Sequence, residues 1–247
     1  MAKSIAILQS NYIPWKGYFD LINSVDEFIV HDCWQYTRGD WRNRNKIKAP
    51  SGPVWLTIPV KSKNHIAGKL LINQVETMDN KWRQSHWKSL LYNYARAPEF
   101  KRYGELLEAL YLGDDLKEER NLSRINLTFI ENLAKMLGIT TPIISVETEQ
   151  KKLDKNQRLI DICKARGADI YLSGPAAQNY IDCQKFQEQG IQVLWMDYSD
   201  YPEYRQLQTP FEHSVSVVDL ILNEGSRAPS YMKSFTPGWK ESLRRKT

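Results

Sequence analysis

Apolar residues fall in short runs separated by polar turns, and the period of the runs changes along the chain. Ile5-Ala6-Ile7-Leu8 and Phe28-Ile29-Val30 are continuous apolar stretches of strand length, joined by an amphipathic helical segment, Phe19 to Asn23. Val54 to Val60 reads as a strand that Pro59 places near an end or edge, and Leu70 to Val75 as another short strand. From Lys81 to Leu137 the period turns helical. Trp82, His86, Leu90 and Tyr94 recur every fourth residue, Pro98 interrupts, Glu99 to Tyr111 resumes, and Asn121-Leu122-Ser123 opens a helix that Gly138 closes. Strand and helix then alternate: strand Ile143–Val146, helix Lys155–Arg166, strand Asp169–Leu172, helix Gln178–Gln189, strand Ile191–Trp195 and a last helix, Val215–Leu222. This alternation predicts an α/β fold with a mostly parallel sheet and right-handed crossovers. Residues 1–225 form one domain in this reading, with a helical insertion around 81–137. Residues 226–247, with Pro, Gly and a basic end, are a tail expected to be ordered only in part.

Composition narrows the class. Apolar residues make up 42 % of 247, enough for a sizeable core and too many for a disordered chain. The net charge of +5 suits a phosphate-bearing ligand without requiring nucleic acid, because 29 acidic residues accompany 34 basic ones. The start of the chain has no signal-peptide pattern, and no apolar stretch approaches the roughly 20 residues that cross a bilayer. A cytoplasmic protein without a membrane partner is expected. Three widely spaced cysteines, Cys33, Cys163 and Cys183, argue against a disulfide framework and a zinc knuckle. No metal site is expected.

Polar clusters at strand ends carry the candidate chemistry, because open α/β sheets place ligands there. The turn after the first strand holds Asn11, Tyr12, Pro14, Trp15, Gly17 and Tyr18. A glycine before a helix lets a ligand approach the backbone, although strand-to-helix packing by the same rings accounts for the turn as well. Further on, Trp41-Arg42-Asn43-Arg44-Asn45-Lys46-Ile47-Lys48 alternates strictly. If extended, Arg42, Arg44, Lys46 and Lys48 share one face, which suits a diphosphate or guards an edge strand. Asn43 and Asn45, on the other face, are candidates to orient a substrate amide or hydroxyl. His31 and Asp32 end the second strand as a candidate general base and its orienting carboxylate. Cys33 beside them lacks any nucleophile signature. His86, between two tryptophans, is either a packing residue or a base. His65 sits in a Lys-rich loop and reads as surface, and Ser214 reads as the cap of the last helix. Ser173-Gly174, at a strand end before a helix, resembles an anion or ribose cradle, with Asp182 on the first turns of that helix. No Walker A loop, GxGxxG, HExxH or GxSxG occurs.

Several of these residues together resemble the WbqC-like proteins. The shared pattern is Gln9-x-x-Tyr12-x-Pro14-Trp15-x-Gly17-Tyr18-Phe19, then Asp32, Trp41-x-Asn43-Arg44-Asn45 and Leu56-Thr57-x-Pro59. Tyr171-Leu172-Ser173-Gly174, Tyr180-x-Asp182 and Tyr204-x-Gln206 follow downstream. The resemblance implies a Rossmann-like, nucleotidyltransferase-like fold. Trp15-x-Gly17-Tyr18 falls where class I adenylyltransferases keep a His-x-Gly-His, and both histidines are missing here.

The family resemblance also implies a setting, the gene clusters of bacterial O-antigen and other surface polysaccharides. Neighbouring enzymes there make nucleotide-linked amino sugars bearing N-acyl or N-aminoacyl groups. A transferase or ligase follows as the expectation, attaching an acyl or aminoacyl group, with glycyl among the candidates, to the amine of a dTDP- or UDP-linked amino sugar. Arg42, Arg44 and Lys46 would hold the diphosphate, Tyr12, Trp15 and Tyr18 would stack on base or sugar, His31 or His86 would take the ammonium proton, and Asp32 would hold the amine. The donor is left open among an ATP-activated amino acid, an acyl-coenzyme A and an aminoacyl-tRNA. The competing expectation is a non-catalytic module of the same pathway that binds a nucleotide sugar or RNA.

Overall fold

The computed structural model describes residues 2–62, 70–146 and 154–245. His65 lies outside them. Five strands form one sheet in the order β5-β2-β1-β6-β7, and every pairing in it is parallel. The strands are β1 (Ser4–Leu8), β2 (Glu27–Val30), β5 (Ile143–Ser145), β6 (Ile170–Ser173) and β7 (Gln192–Trp195). Continuous apolar runs are what a sheet covered on both faces demands. Successive side chains divide between the two faces. Ile5, Ile7, Ile29 and Tyr171 pack with Leu159, Ile160, Cys163 and Phe186, which come from α5 (Lys155–Ala165) and α6 (Cys183–Glu188). Ala6, Phe28, Val30, Ile170 and Leu172 face the larger cluster on the other side. That cluster takes in α1 (Lys16–Asn23), α4 (Leu122–Met136) and α7 (Val217–Glu224). The architecture is α/β and Rossmann-like.

The inserted helices α2 (Lys81–Tyr94), α3 (Phe100–Leu112) and α4 share this second core rather than building one of their own. Leu90, Leu107, Phe129 and Leu133 are fully buried in it. A separate antiparallel hairpin, β3 (Arg44–Ala49) and β4 (Gly52–Thr57), lies beside them.

Four expectations need correction. Leu70 to Val75 is no strand: Ile72–Gln74 is a turn of 3-10 helix, and Tyr36 N–H and Ile72 N–H donate to Leu70 O and Trp34 O, so the segment follows the chain after β2 instead of joining a sheet. A short apolar run fits either state by pattern alone. The helix expected over 178–189 is split. Pro175 opens a 3-10 turn to Asn179, and α6 begins only after Asp182, whose carboxylate caps it by accepting from Lys185 N–H. The cap of α7 is Ser216, accepting from Val218 N–H, not Ser214, whose hydroxyl donates to Glu212. Finally, residues 226–245 fold onto α1. Asp20 accepts from the backbone N–H of Lys233 and Ser234, and Trp239 of α8 (Trp239–Arg244) donates its indole N–H to Ser24 at 2.9 Å.

Candidate functional site

The chain runs from β1 outward to β2 and β5, then returns to β6 and β7 on the other side of β1. The two halves part between the carboxyl ends of β1 and β6, the place where open α/β sheets bind ligands. A cavity of about 300 Å³ opens there. Leu8 and Gln9 at the end of β1, Ser173 and Gly174 at the end of β6, Lys155 and Leu159 from α5, and the rings of Trp34 and Tyr180 line it. Tyr180 is 54 % exposed, a ring presented to solvent rather than packed away.

Cations border the cleft. Arg42 Nη2 donates to Gln9 Oε1 at 2.8 Å, and Nη1 donates to Asn11 Oδ1. Neutral amides hold the guanidinium in place, and an ion pair with Asp40 at 3.8 Å offsets its charge in part. That charge reaches Tyr180, whose hydroxyl burial pushes up and Arg42 pulls back. Lys155 Nζ lies 5.9 Å from the Tyr180 ring, and Arg158 stacks on Trp34 at 4.2 Å. Rings for a base, cations for a diphosphate and a small Ser-Gly turn thus converge on one cleft.

The turn after β1 is built differently from the expectation. Tyr12 is fully buried, and Tyr18 packs on Phe19 and Phe28 while its hydroxyl donates to Gln9 O. Neither ring is available to stack on a ligand. Gly17 makes room for Trp15 rather than for a ligand: a Cβ on it would lie 2.3 Å from the indole, which itself packs on Tyr198 and Tyr201. Ile13 adopts φ 35°, a conformation costly for a β-branched residue. Asn45 holds it there. Its amide N–H groups donate to Tyr12 O and Ile13 O, and its Oδ1 accepts from Lys46 N–H. Asn43 is likewise spent, accepting from Tyr36 and donating to Ile58 O. Both asparagines spend these groups on the scaffold.

The hairpin keeps the expected alternation in part. Asn43, Asn45 and Ile47 are buried, and Arg42, Arg44 and Lys46 are half-buried on the other face. Lys48 departs from it. It is 2 % exposed, with its ammonium on Pro210 O, because the last turn of the hairpin is covered by the chain before α7. Arg44 and Lys46 lie over the Trp55 ring at 4.2 and 5.4 Å, and Trp55 lies 5.3 Å from Trp41. Asn11, Pro14, Trp15, Trp41, Asn45 and Ser214 line a second cavity of about 230 Å³.

None of the three residues considered for proton transfer lines the cleft. His31 is 1 % exposed, meets Trp34 edge-on and borders a smaller cavity with Val146 and Ile162. Asp32 ties neighbouring elements together. The carboxylate accepts from Ser10 N–H at 2.8 Å, Ser10 Oγ at 2.6 Å and Ser123 Oγ, so it ties β1 and β2 to the first turn of α4. His86 is enclosed by Tyr12, Trp82 and Tyr111. Burial lowers its pKa to about 4, so the ring is neutral. Thr57 O can only accept, so Nε2 carries the proton and Nδ1 accepts from the Tyr12 hydroxyl, which in turn accepts from Tyr111. Asp182, as the cap of α6, is occupied too.

Sequence reasoning passed over Gln9, Trp34, Lys155 and Tyr180 as site residues. Gln9 and Tyr180 stand in the shared pattern and were within reach, whereas Trp34 and Lys155 meet only through the fold.

Comparisons with known proteins agree with the pattern. No solved structure matches the chain. An uncharacterized protein of Mycobacterium tuberculosis is 41 % identical over 231 residues, which span 94 % of this chain and 98 % of the relative. The model of the WbqC-like protein family matches residues 9–231, from Gln9 at the cleft to the 3-10 segment after α7. By that match the chain belongs to the WbqC-like protein family.

Proposed function

We propose that the chain is a transferase or ligase that attaches an acyl or aminoacyl group to the amine of a nucleotide-linked amino sugar, in the assembly of O-antigen or a related surface polysaccharide. The observation that carries this reading is the cleft between β1 and β6, where Trp34 and Tyr180, Arg42 and Lys155, and Ser173-Gly174 converge. A base fits the rings, a dTDP or UDP diphosphate fits the cations, and a ribose hydroxyl fits the Ser-Gly turn. The amine nitrogen would attack an activated acyl carbon. A C–N bond forms, the C–O or C–S bond to the leaving group breaks, and the amine proton leaves with that group through solvent. The chain's own residues would bind and orient the sugar.

Non-catalytic binding of the same nucleotide sugar is the second reading. It draws support from the burial of His31, Asp32 and His86 away from the cleft. Two measurements separate the readings. Calorimetric titration with UDP and dTDP tests the cleft, and absence of binding by both overturns it. Incubation of a 4-amino nucleotide sugar with ATP and amino acid, acyl-coenzyme A or aminoacyl-tRNA, followed by mass spectrometry, tests the chemistry. Binding without a mass gain from any donor leaves the second reading standing.

A further inference from the structure

We infer that the second cavity, between Trp15 and Trp41, takes the adenosine end of the acyl donor, so that the chain holds its two substrates in adjoining pockets. The inference rests on the transfer reading above. The donors open to such a reaction are an aminoacyl-adenylate, a coenzyme A thioester and a charged tRNA, and all three end in adenosine. The shared ligand is therefore a purine nucleoside carrying phosphate.

Arg42 bridges residues of the two cavities. Gln9 lines the cleft, Asn11 lines the second cavity, and Arg42 donates to both. The second cavity carries what a nucleotide needs. Trp41 and Trp55, 41 % and 40 % exposed, form an aromatic ledge at its edge, of a kind that packing does not explain and base stacking uses. Arg44 and Lys46 stand over Trp55, and neither has an acidic partner within ion-pair distance among the described residues. Arg44 Nε is buried with no hydrogen-bond partner among those residues. A phosphate beside the ledge would pair with the Arg44 and Lys46 charges that stand over Trp55. On the cavity wall, the Asn11 amide N–H groups have no partner among the described residues, while Ser214 donates its own proton to Glu212 and so presents a lone pair. A donor and an acceptor lining one cavity suit the edge of adenine, where a ring-nitrogen acceptor adjoins the amino group.

The test is calorimetric titration of the full chain with AMP, alone and with UDP at saturation, for wild type, Trp41→Ala and Trp41→Phe. The expected result is AMP binding that saturating UDP leaves in place, that Trp41→Ala weakens at least tenfold and that Trp41→Phe largely restores. Thermal melts confirm that each variant is folded. Displacement of AMP by UDP, or AMP affinity unchanged in Trp41→Ala, overturns the inference. UDP binding with no AMP binding overturns it too and leaves the nucleotide-sugar cleft intact. Trp41-dependent AMP binding without UDP binding supports the pocket and sinks the transfer reading instead. Coenzyme A, ATP and an oligonucleotide ending in CCA are titrated alongside. A gain in affinity over AMP in one arm names the donor, and failure of all three to bind overturns the inference.

Discussion

The indole of Trp15 lies across Gly17, two residues on, so closely that a methyl group there would sit 2.3 Å from the ring. Tyr198 and Tyr201 pack against that indole and block its retreat. Gly17→Ala is therefore expected to destabilise the protein by about 1–3 kcal/mol, the usual cost of overpacking. Such a loss corresponds to a melting temperature lower by roughly 2–12 °C at this chain length. An unchanged melt would show that the ring can move aside.

Asn45 holds Ile13 in its left-handed conformation through two donated hydrogen bonds. Asn45→Ala leaves two carbonyls without those donors and is expected to cost about 1–3 kcal/mol in urea unfolding. Asn45→Asp is expected to cost at least as much, since a carboxylate cannot donate. Equal stability of Asn45→Asp and wild type would refute the clamp.

His86 makes stability depend on acid. Its pKa is about 4 in the folded chain against 6.5 for an ordinary histidine, so the folded form refuses a proton that the unfolded form accepts. Its contribution is fully present above about pH 6.5, falls as the pH drops through that window and is gone near pH 4. The size is on the order of 3 kcal/mol. His86→Gln is expected to unfold with a smaller loss between pH 7 and pH 5 than wild type, compared by urea midpoints. Parallel pH profiles would contradict this account.

Asp32 and Arg42 are expected to separate scaffold from ligand. Asp32→Asn replaces an acceptor of three hydrogen bonds and is expected to cost about 2–4 kcal/mol of stability. Arg42→Ala is expected to change stability by about 1 kcal/mol or less while largely abolishing the thermal shift given by UDP. A full UDP shift in Arg42→Ala would remove the guanidinium from the binding account.

The parallel sheet was readable because strands buried on both faces leave continuous apolar runs, as in Ile5 to Leu8 and Phe28 to Val30. The long helices were readable from their repeat at four. The 3-10 turn at Ile72 was not, because six mostly apolar residues carry no period that separates strand from turn. At the site, Ser173-Gly174 announced itself by following a strand. Asp32 misled for a physical reason: a polar residue at the end of a buried strand is as well suited to anchoring neighbours as to chemistry. Its anchor Ser123 lies 91 positions away, where no local pattern reports it. Lys155 and Trp34 are cleft residues only because α5 and the chain after β2 converge on it.

The hydrogen bonds of Arg42 to Gln9 and Asn11 have a thermodynamic consequence. An anion that drew the guanidinium toward one cavity would loosen the amide that borders the other, so filling either space would tune its neighbour's affinity without emptying it. Linkage requires the influence to be mutual: by whatever factor the first ligand changes the affinity of the second, the second changes that of the first. An ordered pairing of two reactants would then need no moving lid, only one side chain held between two amides.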